Sequence, residues 1–323
     1  MIAGATRLSG RLAFTASLLA AAMASAQETP PDPKIEVPGI NSYAAPATQG
    51  RLAIRGSGQI TLAAQLTEET EDLPRGLVWR VFKPDPGPDG KLPLVASAVG
   101  GTSVFQLEPG SYLVHAAFGR AGATKRITVG PDSKREELVL DAGGLKLDAV
   151  LTGNRRISAK KLRFMIYEGT PDANGDRPLV IPNVKPNAVV RLNAGTYHVV
   201  SEYGSANAVI RSDIRVEAGK LTSATVEHHA AELTLKLVRE TGGEAIADTS
   251  WSILTESGDP VRELVGAYAS MVLAEGTYAI VAKNRDRIYQ RDFTVVAGRN
   301  QEVEVLAVES AATTAASDLD AAD

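Results

Sequence analysis

The chain has 323 residues, of which 44% are hydrophobic and 5% aromatic, and its formal net charge is −4. This mildly acidic balance argues against nucleic-acid binding as a global role. The chain has no cysteine, which excludes disulfides, thiolate metal ligands and a thiol nucleophile. An exported domain that depends on its hydrophobic core rather than on disulfides favours a bacterial periplasm or cell surface.

Residues 1–26 have the pattern of a cleavable signal peptide. Arg7 and Arg11 precede an apolar run that ends in the small residues Ala24-Ser25-Ala26, and we expect cleavage after Ala26. Loss of the two arginines changes the net charge from −4 to −6. The alternative is a retained membrane anchor, but the run of about 15 apolar residues is shorter than the roughly 20 that span a bilayer. The mature protein is therefore predicted to have no membrane span and to be periplasmic or secreted.

Two segments of low complexity frame the remaining chain. Residues 27–50 contain five prolines and few bulky apolar side chains, which predicts an extended linker. Residues 309–323 are small, polar and acidic, which predicts a disordered tail.

A repeat organises the chain between these two segments. The phrase Gly-Ser/Thr-Tyr recurs with its tyrosine at Tyr112, Tyr197 and Tyr278, so the spacings are 85 and 81 residues. An aromatic residue precedes each tyrosine in an apolar run, at Trp79, Phe164 and Trp251. This period predicts three tandem domains, over residues 51–142, 143–230 and 231–308.

The local pattern within each repeat is that of β-structure. About seven short runs of alternating or β-branched apolar residues, bounded by Gly, Pro, Asn and Asp, occur per unit. Regular spacing of such runs is typical of antiparallel sandwiches. We therefore predict an all-β protein with three tandem antiparallel β-sandwich domains of the Ig-like or prealbumin-like kind.

The repeated aromatic residues are predicted to form the core of each sandwich. Side chains alternate along a strand, so every second residue from each tyrosine faces the same side, which we expect to be inward. A buried tyrosine hydroxyl needs a hydrogen-bond partner, and we expect a nearby backbone group, as in the tyrosine corner of Ig-like domains. The predicted core residues are Trp79, Tyr112, Phe164, Tyr197, Trp251 and Tyr278.

The phrase Leu-x-x-Gly-Ser/Thr-Tyr-x-Val/Ile, followed by Val-x-x-Gly and a last strand, resembles small bacterial surface domains. These are the PEGA, carboxypeptidase-regulatory-like and collagen-adhesin B-type families, and the resemblance covers residues 51–308. In the adhesin-type family, an acid four residues after the tyrosine helps to form an internal isopeptide cross-link. Ala116, Ser201 and Ala282 stand at those positions, so the resemblance does not imply such cross-links here.

No catalytic or metal-binding motif is recognisable in the sequence. A nucleophile elbow, a zinc-binding HExxH motif and a recognisable acid–histidine pair are all missing, so we predict a non-enzymatic protein without a cofactor. His115 and His198 are predicted to lie on the outward, solvated face of their strands. His228 and His229 are adjacent in a strand and point to opposite faces, which disfavours a shared metal ion.

The turn that begins at Asp172 partly resembles a calcium loop. Asp172, Asn174 and Asp176 alternate as the first ligands of such a loop would. However, Arg177 stands in place of the sharp-turn glycine and Asn183 in place of the bidentate glutamate. A plain hairpin turn is therefore the favoured interpretation.

Two basic clusters are candidates for binding an anionic envelope polymer or lipid headgroup. The first contains Arg155, Arg156, Lys160, Lys161 and Arg163, and the second contains Lys283, Arg285, Arg287 and Arg291. The alternative is that these residues protect solvated strand edges from pairing with other chains. The candidates for an exposed sugar-stacking platform are Tyr268 and Tyr289.

These observations lead to two hypotheses of function. The first is an exported, non-enzymatic structural or protein-interaction module of the bacterial cell envelope, whose partner is another envelope protein or an envelope polymer. The alternative is a binding module for an anionic or carbohydrate envelope polymer, for which salt-sensitive binding is expected.

Overall fold

The computed structural model describes residues 58–308, and every regular element in this range is a β-strand. Among these residues, no helix has the length and apolar character needed to cross a membrane. The predicted signal peptide, the linker of residues 27–50, the tail of residues 309–323 and the start of the first repeat lie outside the described residues.

The strands fall into three consecutive groups. The first group is β1 (Gly58–Gln65), β2 (Leu77–Phe82), β3 (Leu94–Gly100), β4 (Ser103–Leu107), β5 (Gly110–Phe118), β6 (Ala121–Val129) and β7 (Lys134–Val139). The second group is β8 (Ala142–Leu151), the short β9 (Arg155–Arg156), β10 (Leu162–Glu168), β11 (Leu179–Val184), β12 (Val189–Asn193), β13 (Gly195–Tyr203), β14 (Val209–Val216) and β15 (Leu221–His228). The third group is β16 (Ala230–Val238), β17 (Thr249–Thr255), β18 (Pro260–Val265), β19 (Tyr268–Ala274), β20 (Gly276–Asn284), β21 (Arg287–Val295) and β22 (Gln301–Leu306).

Each group builds the same pair of sheets. The first sandwich has a three-stranded sheet in the order β4-β1-β7 and a four-stranded sheet in the order β3-β2-β5-β6. The second repeats this arrangement as β12-β8-β15 and β11-β10-β13-β14, and the third as β19-β16-β22 and β18-β17-β20-β21. The predicted all-β fold of three tandem sandwiches, with about seven strands each, is confirmed.

The strand pairing differs from the prediction at one place in each sandwich. The first and last strands, β1 and β7, β8 and β15, and β16 and β22, pair in parallel, whereas the other pairs are antiparallel. Apart from the two-residue β9, successive strands alternate in direction, so the first and last strands of each sandwich run the same way. They become parallel neighbours because the last strand returns to the sheet that holds the first.

Each sandwich has its own apolar core, between its two sheets. The predicted core residues are all buried, and they lie in three separate clusters with Trp79 and Tyr112 in the first, Phe164 and Tyr197 in the second, and Trp251 and Tyr278 in the third. The indole N–H of each tryptophan donates a 2.8 Å hydrogen bond to a backbone carbonyl, at Gly101 and Gly266 respectively. Phe164 has no N–H group in its ring, so its side chain makes only apolar contacts in the second core.

The prediction that His115 is solvated is wrong. Strand alternation places it on the outer face of the four-stranded sheet, but this face is itself buried, and His115 is only 4% exposed. Its neighbours on the face, Arg80, Phe82 and Ala117, are buried too. His115 Nδ1 lies 2.9 Å from the Thr124 hydroxyl, and burial, helped by the charge of Arg80, lowers the pKa of His115 to about 4.

Candidate functional site: the module junctions

Each repeated tyrosine closes a corner at the end of its sandwich. The hydroxyls of Tyr112, Tyr197 and Tyr278 donate to the carbonyl of the residue four positions earlier, over 2.9, 3.0 and 2.9 Å respectively. This is the geometry of a tyrosine corner, which ties the strand to the loop before it. In the second and third sandwiches, residues at this corner also contact the preceding sandwich.

The first junction joins the turn between β5 and β6 to the corner of the second sandwich. The Arg120 N–H donates to the carbonyl of Arg191 over 3.0 Å, and the Arg191 guanidinium lies 4.2 Å from the centre of the Phe118 ring. The side chain of Asn193 adds a reciprocal pair with Gly122. Its oxygen Oδ1 accepts from the Gly122 N–H at 3.2 Å, and its Nδ2 donates to the Gly122 carbonyl at 3.1 Å. The same amide donates to the carbonyl of Leu140 at 2.7 Å.

The second junction joins the turn between β13 and β14 to the corner of the third sandwich. Asn207 accepts a hydrogen bond from the Ala274 N–H at 3.0 Å and donates to the hydroxyl of Tyr278 at 2.7 Å. A small apolar cluster seals this contact and consists of Leu151, Tyr203, Ala208, Ala230 and Val272. One asparagine therefore bridges each junction, although it comes from the later sandwich in the first and from the earlier one in the second.

A glycine in the left-handed region shapes both turns. Gly119 and Gly204 have φ values of +69° and +79°, and each lies against a strand of the following sandwich. A Cβ atom at Gly119 would lie 3.0 Å from Cβ of Arg191, and one at Gly204 would lie 2.7 Å from Cβ of Val272. In the third sandwich, Arg285 occupies the equivalent place with a φ of 55°. The aromatic-glycine pairs at the ends of β5 and β13 are thus the sequence signal of a junction, and this signal was not recognised from the sequence.

We expect Gly204→Ala to lower the free energy of unfolding by about 2–3 kcal/mol, because it adds a steric conflict to the cost of a left-handed alanine. Gly242→Ala is a matched control, since Gly242 has a φ of +77° but no heavy atom within 4 Å of an added Cβ. This control is expected to cost only about 1 kcal/mol. Urea unfolding followed by circular dichroism measures both values. Equal costs would show that the close approach to Val272 contributes nothing.

We expect Tyr278→Phe to cost about 2 kcal/mol, because the change removes a donor to Ala274 and leaves the half-buried amide of Asn207 without its acceptor. Tyr112→Phe removes the bond to Glu108 and a long 3.5 Å bond from Lys83, both within its own sandwich, and is expected to cost about 1 kcal/mol. A double-mutant cycle of Tyr278→Phe with Asn207→Ala should give a coupling energy of about 1 kcal/mol across the junction. Strict additivity of the two changes would contradict this bridge.

The first basic cluster lies beside the second junction, and two of its members are ion-paired. Lys161 Nζ is 2.7 Å from a carboxylate oxygen of Glu232 in the third sandwich, and Arg163 Nε is 3.0 Å from Glu202. Arg155 and Arg156 form β9, where they pair with Leu151 and Val150 of β8, and the Arg155 guanidinium lies beside Gly298 of the third sandwich. Arg156 and Lys160 are exposed.

Glu232 is the acceptor at the centre of this polar contact. The Tyr203 hydroxyl donates to its second carboxylate oxygen at 2.8 Å. The hydrogen bond from Lys161, followed by that from Tyr203, lowers the pKa of the Glu232 carboxyl below its usual value. Burial, together with the bond to Glu232, raises the pKa of the Tyr203 hydroxyl. These groups therefore hold the second and third sandwiches together as an ionised, hydrogen-bonded unit at neutral pH.

The second basic cluster lies at the far end of the third sandwich. Lys283 is on β20, Arg285 is in the following turn, and Arg287 and Arg291 are on β21; all four are exposed. Arg291 donates to the backbone carbonyl of Glu304. Three of the four side chains lie along a turn and the edge strand β21. Cations in such a position can protect an edge strand from pairing with other chains.

One serine–histidine pair was not anticipated from the sequence. Ser201 Oγ lies 2.8 Å from His228 Nε2, a distance at which a histidine can activate a nucleophile. However, both side chains are only 1% exposed, which leaves no approach for a substrate. Burial, helped by the charge of His229, lowers the pKa of His228 to about 4, so it is a weak base at neutral pH. Their mutual hydrogen bond gives each of these two buried polar side chains a partner inside the second sandwich.

The other candidate polar residues have local partners. His198 Nδ1 lies 2.7 Å from Asp213, and its side chain is 19% exposed. His228 is buried and the adjacent His229 is exposed, as strand alternation predicted. The Asp172 carboxylate accepts from the N–H groups of Asn174 and Asp176, which closes the hairpin turn upon itself. Within residues 58–308, no group of three or more His, Asp or Glu side chains is arranged to hold a metal ion.

Comparison with protein families gives one match, to the third sandwich. Residues 232–307 match the Rhizobiales growth-associated tandem repeat domain. Among curated proteins, none matches the chain.

Several bacterial proteins of known structure, two of them pilins, are distantly similar. The TIE protein of Bacillus anthracis is 19% identical over 78% of this chain, with a TM-score of 0.23, and the chain spans half of that protein's length. The minor pilin of Streptococcus agalactiae is 15% identical over 53% of this chain and 95% of its own, with a TM-score of 0.31. The major pilin subunit of Bacillus cereus is 11% identical over 77% of this chain and 99% of its own, with a TM-score of 0.21. The strand order described above, rather than these distant likenesses, defines the fold.

Proposed function

We propose that the protein is an exported, non-enzymatic structural or protein-interaction module of the bacterial cell envelope, built from sandwiches of the PEGA, carboxypeptidase-regulatory-like and collagen-adhesin B type. The observation that carries this proposal is the repeated junction. Two successive sandwiches meet through the same turn and the same corner, each bridged by an asparagine and fitted around a glycine. Such contacts hold domains together and leave their outer surfaces for partners.

The polar groups of the described residues support a non-enzymatic role. The Ser201–His228 pair is closed to substrates, and the Lys161–Glu232–Tyr203 contact joins two sandwiches. Purified protein is expected to turn over no peptidoglycan, ester or phosphate substrate. Turnover that disappears on a single side-chain change would overturn this part of the proposal.

Export is tested by expressing the full chain with a carboxy-terminal tag and measuring the mass of the periplasmic product. The expected product begins at Gln27, because the small residues Ala24 and Ala26 suit a signal peptidase. Ala26→Arg is expected to block cleavage. A full-length product that stays with the membrane fraction would support the alternative hypothesis of a retained membrane anchor.

Partners are tested by photo-cross-linking in living cells. A photoreactive residue is placed at Val99, Val265 or Ile288, which are 80%, 78% and 66% exposed, and at the buried control Leu235. The proposal expects a discrete envelope partner that is captured from at least one exposed position and never from Leu235. If none of the exposed positions captures a partner, the interaction role is rejected.

Binding of an anionic polymer through the first basic cluster has less support. Glu232 and Glu202 neutralise two of the five cations. Fixed ion pairs are poor partners for a second anion, because their charge is already compensated.

A further inference from the structure

The outer face of the three-stranded sheet in the third sandwich carries a regular set of polar side chains and one exposed aromatic ring. Strand register aligns Tyr268 with Lys236, and Lys236 with Glu304. The next row aligns Ser270 with Thr234 and Glu302. Tyr268 is 60% exposed, so its ring is presented to solvent at the edge of this face.

A cleft of about 590 Å³ adjoins these rows at the second junction. Its lining combines Gly204 and Ser205 of the second sandwich with Thr234 and Ser270 of the third. Lys161, Glu232, Asn300, Gln301 and Glu302 also contribute to its lining. The cleft therefore exists only where two sandwiches meet, and it is rich in side chains that donate or accept hydrogen bonds.

The charged groups on this face are held in place by one another. Lys236 Nζ lies 2.6 Å from Glu302 and 3.0 Å from Glu304, and Lys161 pairs with Glu232. The hydroxyls of Thr234 and Ser270 are 3.2 Å apart. Positive and negative charges nearly balance, with three carboxylates to two ammonium groups. A preorganised, nearly neutral array of donors and acceptors favours a ligand with many hydroxyls and no net charge.

The aromatic ring distinguishes this face from its counterparts. Tyr268 lies ten positions before its corner tyrosine, and the same place is held by Thr102 in the first sandwich and Asn187 in the second. A tyrosine offers a flat apolar surface with a polar tip. The C–H face of a pyranose ring can stack on such a surface while its hydroxyls reach the neighbouring polar groups.

We propose that this face of the third sandwich binds a neutral glycan chain. Tyr268 stacks against one sugar ring, and the chain continues past Ser270 and Thr234 into the junction cleft. This site goes beyond the proposed interaction role. It does not depend on that role, because a glycan can bind here whether or not the protein also has a protein partner.

The test titrates the full mature chain with two neutral probes, a hexamer of N-acetylglucosamine and a hexamer of β-1,4-linked glucose, by isothermal calorimetry and NMR. We expect at least one probe to bind with a Kd below about 1 mM. Tyr268→Ala should weaken binding by about tenfold or more, whereas Tyr268→Phe should retain it. Ile288→Ala, an exposed change on the other sheet, is the matched control and should leave the Kd unchanged.

Several outcomes would overturn the proposal. The proposal is wrong if neither probe binds at a concentration of about 10 mM. It is also wrong if the wild type and Tyr268→Ala bind a probe with equal affinity. Preference for dextran sulfate over both probes, with binding lost as salt rises, would assign the surface to an anionic polymer instead. Circular dichroism distinguishes loss of binding from loss of fold, and the exposed position of Tyr268 predicts that Tyr268→Ala stays folded.

Discussion

Replacement of Trp251 by alanine is expected to lower the free energy of unfolding of the third sandwich by about 3–5 kcal/mol. The side chain is 1% exposed and belongs to the same core cluster as Tyr278 and Ile253. Its removal leaves a cavity that the two sheets can only partly close. It also leaves the carbonyl of Gly266 without the indole donor that lies 2.8 Å away.

The chain provides its own reference for this experiment. It contains two tryptophans, so the fluorescence of the Trp251→Ala variant reports Trp79 in the first sandwich, whereas circular dichroism reports all three. During urea unfolding, we expect part of the dichroism change to move to lower urea while the Trp79 transition stays in place. Trp251→Phe, which copies the second sandwich, should cost about 1–2 kcal/mol, and the exposed change Val265→Ala less than about 0.5 kcal/mol. If Trp251→Ala costs no more than Val265→Ala, the core assignment is wrong.

Acid is expected to destabilise the first and second sandwiches through His115 and His228. Both side chains are buried and neutral in the fold, and the pKa of each is lowered from 6.5 to about 4. Their contribution to stability is complete above pH 6.5 and is lost as the pH falls towards 4, because only the unfolded chain binds protons in that window. Between pH 7.5 and pH 5, the loss is about 2 kcal/mol for each histidine.

Urea unfolding at pH 7.5, 6 and 5 measures this dependence, above the range in which carboxylates titrate. In His228→Gln the second sandwich should lose the part of its pH dependence that is due to His228. The first sandwich, followed by Trp79 fluorescence in a Trp251→Phe background, should keep the dependence due to His115. Val265→Ala, an exposed change in the third sandwich that carries no titratable group, is the control and should keep the full pH dependence. An unchanged slope in His228→Gln would assign the acid sensitivity to other groups.

Much of the fold could be predicted from the repeat. The spacing of Tyr112, Tyr197 and Tyr278 marks equivalent positions, and the alternation of apolar residues after each tyrosine predicts which face is buried. Strand alternation is a local property, so it can be read from neighbouring residues without knowledge of the fold. It predicted correctly that His228 and His229 point to opposite faces.

The same reasoning was wrong for His115, because alternation assigns a side chain to a face but does not say whether that face meets solvent. Arg80, Phe82 and Ala117 make the outer face of the first four-stranded sheet a buried one. The first basic cluster shows the same limit of reasoning from local pattern. Lys161 and Glu232 are separated by 71 positions in the sequence and form an ion pair because two sandwiches meet.

The sequence by itself determined the number of repeats, their β-structure and the aromatic residues at their centres. The repeats are visible as a phrase that recurs after 85 and 81 residues, and the β-structure depends on the alternation of neighbouring side chains. Only the tertiary structure decided what Gly119, Gly204, Asn193 and Asn207 do. Their roles depend on a neighbour from the next sandwich, and the distance across a junction is set by the packing of whole sheets rather than by local pattern.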